Sequence, residues 1–204
     1  MTASKKRLID QTARMADFVV AIACSVGGLE ALTEIVSALS VGFPGAIVIV
    51  QHLSPKYKSR LPEILMRHTN LAIEQAVEGA KLVEGSVYVA PAGYHLIINP
   101  NGTLGLSDAP KEHFVRPSAE YTFKSLANSY RTKAIGVVLT GYDSDGQEGV
   151  GLIKELGGKV IAQDQATSKA FSMPQSAIET GCVDLILPIE EIAAGIVNLV
   201  IAKS

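Results

Sequence analysis

The stretch Phe18-Val-Val-Ala-Ile-Ala-Cys-Ser-Val-Gly-Gly-Leu-Glu-Ala-Leu-Thr-Glu-Ile-Val-Ser-Ala-Leu39 decides the fold. Its first residues, Phe18 to Ile22, form an unbroken apolar, mostly β-branched run of the kind that makes a strand covered on both faces. From Leu29 the pattern changes. Leu29, Leu32, Ile35, Val36 and Leu39 recur at intervals of three and four, which puts one apolar stripe along a helix from Gly28 to Leu39. A buried strand, a tight glycine turn and an amphipathic helix open a parallel strand–helix–strand unit, and Ala46-Ile-Val-Ile-Val50 closes it.

Working outward, a helix from about Arg60 to His68, a short strand Leu71 to Val77 and a strand Val87-Tyr-Val-Ala90 continue the alternation. Tyr94-His-Leu-Ile-Ile98 and Thr103-Leu-Gly-Leu106 break it. They flank Asn99-Pro-Asn-Gly102, whose Asn-Gly pair predicts a hairpin turn because both residues tolerate positive φ. Alternation resumes with a helix near Pro117 to Tyr130, strand Ala134–Leu139, helix Gln147–Leu156, strand Lys159–Ala162, strand Val183–Leu187 and helix Ile189–Ala202. The pattern predicts an α/β fold: a doubly wound, mostly parallel sheet with helices on both faces and an inserted antiparallel hairpin. Residues 1–17 lack an apolar period and read as a leader, a frayed helix or tail; residues 18–204 read as one domain.

Composition bounds the partners. With 48% hydrophobic and 19% charged residues among 204, the chain can bury a full core and is neither disordered nor a disulfide scaffold. Eighteen basic residues against 20 acidic leave a formal charge of -2 with no long basic run, so nucleic acid is not an expected partner. Two cysteines, Cys24 and Cys182, with no signal-peptide pattern before them, point to the cytoplasm. The apolar segment Ile192–Ala202 is short of the roughly 20 residues a bilayer demands and reads as a core helix, so membrane insertion is not expected.

Ligands of doubly wound sheets lie beyond the carboxyl ends of the strands, so those ends are where chemistry is sought. Ser25 stands on the turn after the first strand, where a hydroxyl meets the free N–H groups of a helix start. As a nucleophile it is half a hydrolase; as a plain residue it is an N-cap, and the same turn can hold a phosphate. His52 ends the second strand, as a general base or as a structural imidazole. Asp145, in Thr140-Gly-Tyr-Asp-Ser-Asp-Gly146, is an orienting carboxylate or the N-cap of the next helix, and Asp143 lies two residues away. All three follow parallel strands, which lets them converge although far apart in sequence. His68 reads as surface, His113 as a solvated loop residue and His95 as structural packing or a cleft residue. No zinc spacing links them, and Cys24 reads as a small buried filler.

At these residues the chain resembles the catalytic domain of the CheB-type chemotaxis receptor protein-glutamate methylesterases. The resemblance is carried by Ser25-Val-Gly-Gly-Leu-Glu-Ala31, Gln51-His-Leu53, Val87-Tyr-Val-Ala-Pro-Ala-Gly93 with His95, Arg116-Pro-Ser118, Gly136-Val-Val-Leu-Thr-Gly141 through Asp145-Gly146, Ala162-Gln-Asp164 and Met173-Pro-Gln-Ser-Ala177. It implies hydrolysis of γ-glutamyl methyl esters on the cytoplasmic helices of chemoreceptors, with glutamine deamidation as a second activity. It further implies Ser25 as nucleophile, His52 as base, Asp145 as its orienter, and the backbone N–H groups of Val26 and Tyr142 as the oxyanion hole, without cofactor or metal. The family usually has Gly for Ala23, Ala for Cys24, Met for Tyr142 and Gly for Asp143, and its fuller architecture adds an N-terminal receiver that a 17-residue leader cannot hold. Two other readings of the fold stand beside the methylesterase: a non-catalytic module that binds receptors or signalling proteins, and a serine esterase for small-molecule esters.

Overall fold

The computed structural model describes residues 8–52, 59–112 and 114–202. In chain order its first half contains β1 (Val19–Cys24), α1 (Gly28–Ala38), β2 (Ala46–Gln51), α2 (Leu61–Leu65), β3 (Ala72–Gln75), β4 (Ser86–Val89), β5 (His95–Ile98) and β6 (Leu104–Ser107). The second half contains α3 (Ala119–Tyr130), β7 (Ala134–Val138), α4 (Gln147–Glu155), β8 (Lys159–Gln163), α5 (Ser172–Glu179), β9 (Leu185–Leu187) and α6 (Ile189–Ile201). Seven strands pair in the order β3-β4-β2-β1-β7-β8-β9, every pair parallel, while β5 and β6 form a separate antiparallel hairpin.

Why β1 is central follows from its residues. All six are fully buried, and their alternation feeds two cores at once. Val19, Ala21 and Ala23 point toward Phe123, Leu126, Val150 and Ile153 of α3 and α4. Val20, Ile22 and Cys24 point toward Leu32, Ile35 and Val36 of α1 and Ile192 and Ile196 of α6. Each large aliphatic side chain withdrawn from water in this way contributes about 1.5–3 kcal/mol. With β2 on one side of β1 and β7 on the other, the connections diverge there and open a crevice above the carboxyl end of β1.

The alternation expected from the sequence is present, with five local differences. Residues 8–17 form neither a frayed helix nor a loose tail: Ile9 and Ala16 are buried, Ala16 N–H donates to Leu82 O at 2.9 Å and Ile9 N–H to Glu74 Oε1 at 3.1 Å. The hairpin turn is centred on Pro100-Asn101 rather than Asn101-Gly102. Gly102 N–H donates to Asn99 O at 2.9 Å and only Gly102 takes positive φ, as in a type I turn followed by a glycine bulge, because Pro100 presets the first central residue. The helix expected over 60–68 is confined to Leu61–Leu65 and the strand expected over 183–187 to Leu185–Leu187. Finally, α5 lies where the sequence pattern assigned nothing. It is eight residues long with Pro174 in its first turn, where a missing N–H costs no helical bond.

Candidate active site

β1 and β2 end side by side. Cys24 pairs in register with Gln51, and His52 N–H donates to Cys24 O at 3.1 Å, so Ser25 and His52 are neighbours just past the paired ends. Ser25 is not a cap: the residue before α1 is Gly27, with φ of 82°, and no side chain caps the helix. Ser25 N–H donates to Thr140 O at 3.0 Å, tying the turn to the end of β7. Thr140 ties it again through its hydroxyl, which donates to Val26 O at 2.9 Å, while Thr140 N–H donates to Gln163 Oε1 at 2.9 Å. The two loops touch so closely that a Cβ on Gly141 would sit 2.8 Å from Ser25 Cβ and 2.8 Å from Met173 Sδ. Among the described residues the Ser25 hydroxyl makes no hydrogen bond, and neither Val26 N–H nor Tyr142 N–H has an acceptor. Both backbone donors are thus without a protein acceptor, and the hydroxyl is uncommitted.

His52 and Asp145 meet directly, Nε2 to Oδ2 at 2.7 Å, with the His52 side chain 10% exposed and that of Asp145 not exposed. The bond to the carboxylate makes Nε2 the protonated nitrogen and leaves Nδ1 as the basic one. Asp145 does not cap its own helix; the residue before α4 is Gly146. It instead sits at the N-terminus of α3, where Oδ1 accepts from Ser118 Oγ at 2.6 Å and Glu120 N–H at 3.2 Å, and Oδ2 accepts from Ala119 N–H at 2.5 Å. Burial alone would push this carboxyl up, but the bonds from His52, Ser118 and Ala119 outweigh it and hold the group below the ordinary aspartate value. The positive end of α3 favours the same charge. Asp145 is therefore anionic, rigid and aimed at His52. Asp143 is exposed, with φ of 96°, and its Oδ1 accepts from the Ser144 N–H at 2.6 Å.

Of the remaining candidates, His95 is fully buried, with its ring stacked on Tyr121 at 4.0 Å between centroids. His68 is exposed, His113 lies outside the described residues, and Cys24 is buried in the core with its thiol pushed up by burial. Among the described residues no three His, Cys, Asp or Glu side chains are grouped closely enough to hold a metal. Four contributors escaped sequence reasoning: Ser118, Thr140, Gln163 and the N-terminus of α3. Ser118, Thr140 and Gln163 stand in motifs that carry the family resemblance, which gave them no role; Ser118 alone carried a physical signal, as a serine just before a helix, which marks an N-cap but not the carboxylate it would hold.

The sequence profile described as "CheB methylesterase" matches residues 20–196, most of the chain. The chain belongs to the CheB methylesterase family. Within that family it is 41% identical over 174 residues to a protein-glutamate methylesterase/protein-glutamine glutaminase 2 of Anaeromyxobacter dehalogenans, covering 85% of this chain and 51% of that protein. It is 39% identical over 180 residues to a putative protein-glutamate methylesterase/protein-glutamine glutaminase of Leptospira interrogans, covering 88% of this chain and 93% of the relative. The crystal structure of the Thermotoga maritima CheB methylesterase catalytic domain superposes with a TM-score of 0.86 at 36% identity, covering 89% of this chain and 98% of that one. The chain spans about half the length of the Anaeromyxobacter relative, 51%, and what it matches is the catalytic domain of this family.

Proposed function

We propose that residues 18–204 form a protein-glutamate methylesterase domain that hydrolyses γ-glutamyl methyl esters on the cytoplasmic helices of chemoreceptors to glutamate and methanol, and deamidates glutamine at the same site. The observation that carries this reading is the 2.7 Å contact of His52 Nε2 with the buried Asp145 carboxylate, one strand away from an uncommitted serine hydroxyl at a helix start. The family membership supports the substrate class.

In this mechanism Nδ1 of His52 takes the Ser25 proton as Oγ attacks the ester carbonyl. The carbonyl oxygen gains negative charge between the Val26 and Tyr142 N–H groups, which need no reorganisation to receive it. The tetrahedral intermediate collapses, the C–O bond to the methoxy group breaks, and the proton on Nδ1 leaves with methanol. Water then enters, gives its proton to Nδ1 and attacks the acyl-serine; collapse returns the proton to Ser25 and releases the glutamate carboxylate. Asp145 holds the imidazole in one tautomer and stabilises the imidazolium. The base is worth about 10²–10⁴ in rate and one oxyanion donor about 10²–10³. No helix of the described residues is long and apolar enough to cross a membrane.

A fluorophosphonate probe tests the mechanism whichever receptor is the substrate. Covalent label on Ser25, lost in His52→Ala, supports it; no label on the folded wild type points to a binding module without catalysis.

A further inference from the structure

Behind Asp145 lies a second buried imidazole that the proposed mechanism does not use. His95 opens β5 and is wholly out of solvent, yet both ring nitrogens are engaged. Nε2 donates to Pro110 O at 3.0 Å, and Nδ1 accepts from the Ser118 N–H at 3.2 Å. Only one neutral tautomer satisfies both partners.

Ser118 is also the residue that clamps Asp145. Its hydroxyl donates to Asp145 Oδ1 at 2.6 Å and accepts from Glu120 N–H at 3.1 Å. Three successive contacts thus run from His95 Nδ1 to Ser118 N, from Ser118 Oγ to Asp145 Oδ1, and from Asp145 Oδ2 to His52 Nε2. The ring has little freedom to follow a wandering Ser118. It is stacked on Tyr121, and the hairpin that bears it is fastened to α3, with Thr122 Oγ1 donating to Leu96 O at 2.8 Å and Ile98 N–H donating to Ser125 Oγ at 3.0 Å.

We propose that His95 is a positioning residue: its neutral ring fixes Ser118, and through Ser118 it aims Asp145 at the His52 base. The aim of the base rests on the serine-hydrolase reading above, while the chain of contacts does not. A proton on Nδ1 would set one donor against another at Ser118 and release the clamp. The surroundings keep that proton away. Burial is the main cause holding the imidazole below its ordinary value and Arg116 acts with it; the Pro110 carbonyl, Asp145 and Glu112 pull the other way, and Tyr121 presents its ring face.

The test compares His95→Ala with His95→Asn, whose amide oxygen can replace the Nδ1 acceptor, on the full chain. The primary readout is the NMR resonance of the His52 Nε2 proton, which reports the contact with Asp145 whatever the substrate. In His95→Ala this resonance is expected to shift and broaden, with kcat for methanol release about tenfold to a hundredfold lower and KM within about twofold; His95→Asn is expected to restore both. The acid limb of the wild-type rate profile should be steeper by one proton than that of His95→Asn. A folded His95→Ala with an unchanged His52 resonance overturns the proposal. Should His95→Ala fail to fold, an acid limb in His95→Asn as steep as in the wild type overturns it. A shifted resonance in a protein whose Ser25 neither turns over ester nor takes the probe would leave the positioning role standing and remove the hydrolase reading.

Discussion

Replacing Asp145 by Asn asks the most of the described site. The carboxylate takes four bonds on two oxygens: Oδ2 from His52 and Ala119 N–H, Oδ1 from Ser118 Oγ and Glu120 N–H. An amide has one acceptor oxygen. With that oxygen at the Oδ2 position, the NH2 group confronts Glu120 N–H; the Ser118 hydroxyl can rotate to accept from the amide, Glu120 N–H keeps only its 3.1 Å bond to Ser118 Oγ, and the lost bond to a charged acceptor costs about 1–3 kcal/mol. With the amide reversed, NH2 confronts Ala119 N–H and forces His52 Nε2 to accept, so the ring proton moves to Nδ1, the atom proposed to receive the Ser25 proton. Loss of the charge at the α3 N-terminus adds about 1 kcal/mol, and no solvent screening reduces it, since the side chain is unexposed. The expected outcome is a stability loss of about 2–4 kcal/mol in guanidinium denaturation, and a fall in kcat of about 10⁴, the size an Asp-to-Asn change produces in a serine protease triad. The loss of stability is pH-dependent. Because the folded carboxyl lies below its unfolded value, its contribution is complete above about pH 4 and disappears as pH falls through the folded value, so wild type and variant converge in acid. An Asp145→Asn protein as stable as wild type, with kcat within about tenfold, would refute the role of this carboxylate as the anchor of His52.

Other outcomes follow from neighbouring contacts. Gly141→Ala should lower kcat by about 10² and stability by about 1–3 kcal/mol, because its Cβ would overlap Ser25 Cβ and Met173 Sδ at 2.8 Å; a scan of kcat against melting temperature checks both. Asp143→Asn should keep kcat within about twofold, since its carboxylate turns to Ser144 N–H and lies outside the His52 contact; a loss comparable to Asp145→Asn would exchange the two roles. In thiol titration of the native protein, Cys182 should react and Cys24 should not, both reacting after denaturation, because Cys24 is fully buried and burial disfavours its thiolate.

The sheet was legible because its strands are short apolar runs separated by helical periods, and the parallel arrangement follows from that alternation. Where sequence and structure part, the deciding contacts are non-local. Residues 8–17 carry no period of their own; the edge strand β3 holds them through Glu74, and the segment between β3 and β4 through Leu82. α5 is too short for an apolar stripe to register. In the site, Ser25, His52 and Asp145 stand out as polar residues after strands, but the choice of Asp145 over Asp143 is beyond spacing. It depends on which carboxylate meets the end of α3, a helix that begins some 26 residues earlier in the chain. The same holds for His95, whose partner Ser118 is 23 residues away.

Methanol release from methylated chemoreceptor, measured for wild type and Ser25→Ala at matched folded concentrations, tests the nucleophile most directly. The account predicts turnover by the wild type and a loss of at least about 10³ in the variant. Equal rates in the two proteins would contradict it.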